Sequence, residues 1–151
     1  MTATRERLVL IGNGMAGVAT LEQILKLGGN YDITVIGSEP HPNYNRIMLS
    51  YVLEGSRTID DIVLNSLEWY EENGITLHTG TTVTSIDEQQ RIVITDNGLH
   101  IPYDKVIIAT GSSSLILPIP GHDKQGVVGF RDIADCQHML DAATHYRKAA
   151  V

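Results

Sequence analysis

The chain has 151 residues, 42% hydrophobic and 19% charged, the size of one globular domain at roughly 150 residues each. A mean hydropathy of −0.03, a polar start from Met1 to Arg7 and no apolar run near the ~18 residues of a bilayer span leave membrane spans and signal peptides unsupported, so a soluble, cytoplasmic protein is expected. The formal net charge is −7 and the 11 Lys and Arg are scattered, which leaves no basic stripe for a nucleic acid backbone.

Leu8 to Ile11 is an apolar run ending at Gly12, and apolar residues recur at helical spacing from Ala16 to Leu27 (Ala16, Ala19, Ile24, Leu27). This predicts a strand, a tight turn and a helix. Gly28, Gly29 and Asn30 end the helix, and Asp32 to Ile36, bounded by Gly37, is the next strand of a βαβ unit. From Glu39 to Ser56, Pro40, Pro42, Asn43 and Asn45 oppose regular structure, apart from a short helix over Ile47 to Leu53. Asn65 to Glu68 has the form of a helix start, a polar cap with an acid three residues on, and the helix stops at Asn73 and Gly74 with Trp69 and Tyr70 packing within it.

Ile75 to His78, Thr81 to Asp87 and Arg91 to Thr95 are short β-type runs, and the Asp96 to Gly98 turn leads to another containing His100 and Ile101. Together they read as a small antiparallel meander. Asp104 to Thr110 is a buried-type strand ending at Gly111, followed by a loop marked by Pro118, Pro120 and Gly121 and a helical pattern from Ile133 to about Tyr146. The single cysteine, Cys136, excludes an internal disulfide, a CxxC pair and a cluster held by several cysteines of this chain, and reads as a small packing residue. The six histidines are dispersed with no HxxxH or HExxH pair, so no metal site is expected.

Gly12 to Gly17 (GNGMAG) is a GxGxxG run between a predicted strand and helix. By itself such a run is also an ordinary glycine-rich turn. Placed here, each glycine has a steric role: Gly12 permits the turn, Gly14 lets backbone approach a pyrophosphate, and Gly17 lets the helix pack close to the sheet. The helix N-terminus offers unpaired N–H groups to the anion. Glu39, 22 residues past Gly17, stands near the spacing at which an acid accepts hydrogen bonds from the adenosine ribose, although Gly37 and Ser38 hold the positions where such an acid commonly falls.

Three further segments follow in order: Tyr44 to Ser50 (YNRIMLS), Tyr103 to Ser112 (YDKVIIATGS) and Pro118 to Gly121 (PIPG). With the glycine turn they resemble, over nearly the whole chain, the FAD domain of pyridine nucleotide-dependent flavoprotein reductases. Within that group the sequence is most similar to the opening of the large subunits of assimilatory NAD(P)H-dependent nitrite reductases, which share the character of Ile11 to Met15 and continue through YxRxxLS to ATGS. Ferredoxin and rubredoxin reductases commonly carry a lysine where this chain has Tyr51, and disulfide reductases carry a CxxxxC pair that is absent here.

The resemblance implies an α/β fold: a Rossmann-like FAD-binding domain with a parallel sheet and a small antiparallel β-meander. Residues 1–147 would form the N-terminal, incomplete part of that domain and 148–151 the start of an NAD(P)H-binding domain. The cofactor-binding residues it implies are Gly12, Asn13, Gly14, Met15, Ala16 and Gly17, Glu39, Arg46 and Ser50 near the diphosphate and flavin, Ala109, Thr110 and Gly111, and Arg131. Tyr44 would pack along the cofactor or simply anchor its loop.

The activity implied is relay of electrons from NAD(P)H through FAD, then through an iron–sulfur cluster to sirohaem for reduction of nitrite to ammonia, with a nitrite reductase small subunit as partner of the full-length enzyme. No side chain is an obvious acid, base or nucleophile. Because the family's FAD domain is completed by later sequence, this chain by itself is expected to bind FAD weakly or not at all and to lack nitrite reductase activity. Two alternatives stand beside this: a fragment of a ferredoxin or rubredoxin reductase, and a non-catalytic adenine-nucleotide-binding module.

Overall fold

A computed structural model describes residues 5–151. In chain order the elements are β1 (Glu6–Ile11), α1 (Met15–Lys26), β2 (Tyr31–Ile36), α2 (Leu49–Glu54), α3 (Leu67–Glu72), β3 (Ile75–His78), β4 (Val83–Asp87), β5 (Ile92–Thr95), β6 (His100–Pro102), β7 (Lys105–Ile108) and α4 (Ile133–His145), with single 3-10 turns at Arg46–Met48 and Asp60–Ile62. These elements fall into two compact units. One runs to Tyr44 and includes Leu64–Gly111; the other combines Asn45–Val63 with Ser112–Val151.

The first unit is built on a parallel sheet in the order β3-β2-β1-β7. Strands of a parallel sheet are covered on both faces, which is why β1 is apolar at four consecutive positions, Leu8 to Ile11, rather than at alternate ones. Leu8 and Leu10 point to one face, where they meet Ile33, Val35 and Ile75 with Leu21 of α1 and Tyr70 of α3. Val9 and Ile11 point to the other, where they meet Ile36, Val93 and Tyr103. Val93 lies on β5, the central strand of the antiparallel sheet β4-β5-β6, so the meander covers the face that the helices leave open.

Four expectations need correction here. Ile75–His78 is no part of the meander: it pairs parallel to β2, Ile33 opposite Ile75. A parallel neighbour requires a crossover rather than a hairpin, and the segment carrying α3 supplies it. The helix cap is Ser66, whose hydroxyl accepts from Trp69 N–H at 3.4 Å, one residue later than expected, because Asn65 is buried and donates to Glu22 Oε1 at 2.8 Å. The strand expected over Asp104 to Thr110 is confined to Lys105–Ile108 and stands at the sheet edge, leaving Ile108 63% exposed. In α1 the spacing located the helix but not its buried face, which is Gly17, Val18 and Leu21; Leu27 is 84% exposed.

An ion pair fastens the start of β1 to the start of β7. Arg7 Nε and Nη2 donate to the two oxygens of Asp104 at 3.0 Å each, and the Arg7 backbone N–H adds a third bond at 2.8 Å. The Arg7 bonds hold the Asp104 carboxyl well below the usual carboxylate range.

In the second unit α2 lies against α4, with Leu49, Val52, Ile62, Ile133 and Cys136 buried. Asp132 caps α4 by accepting from Asp135 N–H at 2.8 Å, the polar start that lets this helix begin where the apolar pattern does. Cys136 is 2% exposed, and burial pushes its thiol up, as befits a packing residue. Among the described residues no helix is long and apolar enough to cross a membrane.

Candidate functional site

In the first unit, three loops leave the C-terminal ends of adjacent parallel strands: Gly12 to Gly14 after β1, Gly37 to Glu39 after β2, and Ala109 to Gly111 after β7. The chain passes from β1 to β2 on one side of β1, while β7 joins from the other. Such a reversal of strand order opens a crevice at the strands' carboxyl ends, where α/β sheets bind ligands.

Backbone sterics explain the glycines. Gly12 has φ +107°, and a Cβ there would stand 2.2 Å from the Ala109 carbonyl oxygen, so only glycine lets the two loops touch. A Cβ at Gly17 would meet Gly12 O at 2.8 Å and both Ala109 Cβ and Leu10 Cδ1 at 3.2 Å, which is why α1 can lie close to the sheet. Gly14 differs from both. Its φ of −89° suits any residue, and a Cβ there would meet nothing within 4 Å. Inside the protein no contact asks for glycine at 14, so the open space before α1 is where a ligand can approach the backbone.

That space faces the start of a twelve-residue helix whose N-cap is Gly14, with no side-chain cap and no acid in its first turn. The N–H groups of the first turn have no partners within the helix, and with the helix dipole they favour an anion. Met15 and Ala16 contribute backbone to this turn. The residues therefore fit a dinucleotide diphosphate: an uncapped helix start, room at Gly14, and no carboxylate to repel the charge.

Glu39 is half-buried, and its Oε2 accepts from the Tyr44 hydroxyl at 2.6 Å. The backbone around it is pinned by Gly37 N–H to His78 O at 2.8 Å and Gly80 N–H to Glu39 O at 2.9 Å. Position 37 has no room for a side chain, because a Cβ there would stand 2.7 Å from Asn13 Cβ. Tyr44 is buried and, through Glu39, anchors this loop.

The remaining candidates belong to the second unit. Arg46 Nη1 donates to the Arg131 carbonyl at 2.9 Å, Arg131 Nε donates to Ser112 O, and Arg131 N–H donates to Asp135 Oδ2 at 2.7 Å. Ser50 is exposed in the first turn of α2. Thus the structure brings Arg46 and Arg131 together within that unit, and Gly12, Gly17 and Ala109 together within the other.

Sequence reasoning missed the side chains around Asn13. Its Oδ1 accepts from Tyr70 O–H at 2.7 Å and its Nδ2 donates to His41 O at 3.3 Å. Tyr70 had a visible packing role, but no local pattern links it to a residue 57 positions earlier. Among the described residues no group of three or more His, Cys, Asp or Glu could hold a metal ion.

Comparison with known proteins places this geometry in context. The family model of the pyridine nucleotide-disulphide oxidoreductases matches residues 6–151. The assimilatory nitrate reductase electron transfer subunit of Bacillus subtilis (strain 168) is 58% identical over 97% of this chain, and the nitrite reductase [NAD(P)H] of the same organism is 55% identical over 97%. The chain spans 19% and 18% of the length of those two relatives, about a fifth. Among solved structures, NADH:rubredoxin oxidoreductase from Clostridium acetobutylicum superposes with a TM-score of 0.82 at 30% identity, over 93% of this chain and 36% of that one. The chain belongs to the pyridine nucleotide-disulphide oxidoreductase family.

Proposed function

We propose that this chain is the N-terminal part of the FAD-binding domain of an NAD(P)H-dependent nitrite reductase large subunit, with residues 1–147 in that domain and 148–151 beginning the NAD(P)H-binding domain. The observation that carries the reading is the open position at Gly14 before an uncapped α1, in a chain 55% identical to a nitrite reductase.

On this reading, N–H groups of the Gly12 to Gly17 turn receive the diphosphate, and Glu39 accepts hydrogen bonds from the ribose. Ala109, Thr110 and Gly111 lie along the cofactor, and Arg46, Ser50 and Arg131 serve the diphosphate and flavin, a guanidinium offering charge and planar donors together. FAD, when bound, supplies the step from two-electron hydride chemistry with NAD(P)H to the single-electron transfers that an iron–sulfur cluster and sirohaem need to reduce nitrite to ammonia. This chain's share is to bind and orient; none of its side chains serves as acid, base or nucleophile. A cytoplasmic enzyme with a small subunit as partner completes the proposal.

A second reading has an observation of its own. The 58% similarity to a nitrate reductase electron transfer subunit supports the same use of FAD with a different acceptor. The likeness to rubredoxin oxidoreductase supports a ferredoxin or rubredoxin reductase only secondarily, at 30% identity.

Isothermal titration with FAD and with ADP, on the wild type and Arg46→Ala, tests the flavin reading against a plain adenine-nucleotide module. Because later sequence completes the family's FAD domain, the expected result is weak FAD binding, seen only at high FAD concentration and weakened further, several-fold, by Arg46→Ala, with ADP binding unchanged. Equal affinity for FAD and ADP, both indifferent to Arg46→Ala, would contradict it.

A further inference from the structure

The hydrogen bonds around Asn13 form a chain with only one possible polarity. At one end stands the Tyr70 phenol on α3. At the other end the His41 carbonyl can only accept, which makes the Asn13 nitrogen the group that faces it, at 3.3 Å, and turns Asn13 Oδ1 towards Tyr70. The Tyr70 hydrogen is thereby committed to Asn13 Oδ1, at 2.7 Å. Tyr70 is 1% exposed, and burial pushes its pKa up to about 12, so the phenol stays a donor throughout the physiological range.

Asn13 sits between Gly12, pressed against the Ala109 backbone, and Gly14, whose surroundings are open. Glycines on both sides leave the turn with more conformations than the folded one, and the side-chain bonds of Asn13 fasten its middle residue. We propose that Tyr70 is a positioning residue for the diphosphate site: from α3 it holds Asn13, and through Asn13 the turn, in the form that receives a dinucleotide. The inference rests on the proposed reading of the turn as a cofactor site. Where only a fraction of molecules holds the binding-competent turn, apparent affinity falls by that fraction. Removing one hydroxyl leaves the half-buried Asn13 Oδ1 without its donor, and roughly a three- to tenfold loss of affinity follows.

Two measurements on the whole chain test this, each with wild type, Tyr70→Phe, Asn13→Ala and the double variant. The first is amide hydrogen exchange without ligand. The Gly12 and Val18 N–H groups bracket the turn and are bonded to Ile36 O and Gly14 O, while Leu10 and Val35 report on the core of the sheet. Tyr70→Phe should speed exchange at Gly12 and Val18 and leave Leu10 and Val35 protected. Should Tyr70→Phe lose protection everywhere, Asn13→Ala removes the same bond from the other side and is read in its place.

The second measurement is FAD titration, in which Tyr70→Phe should raise Kd roughly three- to tenfold and the double variant should bind no worse than Asn13→Ala alone. Exchange at Gly12 and Val18 unchanged in both single variants, or losses of affinity that multiply in the double variant, would overturn the proposal. Faster exchange in the variants, with FAD binding the same in all four proteins, would support Tyr70's hold on the turn and contradict the cofactor reading, so the two fail separately.

Discussion

Three glycines of one motif carry different burdens, and substitution separates them. Gly14→Ala adds a methyl where nothing stands within 4 Å, at a φ that alanine accepts. Stability should stay within about 1 kcal/mol of wild type, since the loss of a better N-cap residue, about 1 kcal/mol, is offset by the ~0.4–1 kcal/mol gained when alanine restricts the unfolded chain. FAD affinity should nevertheless fall at least about tenfold, because the methyl enters the space proposed for the diphosphate. Gly12→Ala forces a Cβ to 2.2 Å from Ala109 O at a positive φ and should cost at least about 2 kcal/mol in chemical denaturation, with or without ligand. The motif was legible in the sequence because the steric needs of a tight turn are local. Glu39 was singled out by spacing, whereas the crowding that keeps Gly37 small against Asn13 was not visible, a contact across 24 residues. The Tyr70 bond to Asn13 was hidden for the same reason, since it exists only once α3 and β1 share a core.

Periodicity located most elements but not always their neighbours. The βαβ unit and α4 stand close to where apolar spacing put them, while β3 was misplaced because a four-residue apolar strand looks the same in a meander and in a parallel sheet. The face of α1 was misread for a related reason: Ala16 and Ala19 are compatible with either side, and Gly17, the residue that meets the sheet, carries no hydrophobic signal. Leu10 belongs to the element whose burial was plainest in sequence, and it is 0% exposed. Leu10→Ala should destabilise the chain by about 2–5 kcal/mol, read by urea unfolding. At the ends of β1 and β7, pH reports the Arg7–Asp104 pair. The Asp104 pKa is lowered in the folded chain, so its contribution is present above the unfolded value of about 4 and is lost as pH falls through the lower folded one. The stability gap between wild type and Arg7→Ala should therefore be full at neutral pH and close below about pH 4.

At the scale of the molecule, a single structural logic joins the first unit: a four-stranded parallel sheet with helices on one face and the meander on the other delivers three loops to its carboxyl edge. The second unit carries Arg46, Ser50 and Arg131, which the family resemblance singled out and no composition or spacing could have found. Family membership holds across residues 6–151, while the enzyme's full activity belongs to relatives about five times longer, so the claim that concerns this chain most closely is that its glycine turn takes a dinucleotide. Isothermal titration of FAD into the wild type and into Gly14→Ala, with thermal unfolding of both as a control, tests it most directly. The account predicts weak one-site binding to the wild type, reached only at high FAD concentration, and its loss in a Gly14→Ala variant that unfolds near the same temperature. Equal binding to both would contradict the diphosphate reading, and a tight isotherm would contradict the expectation that later sequence completes the site.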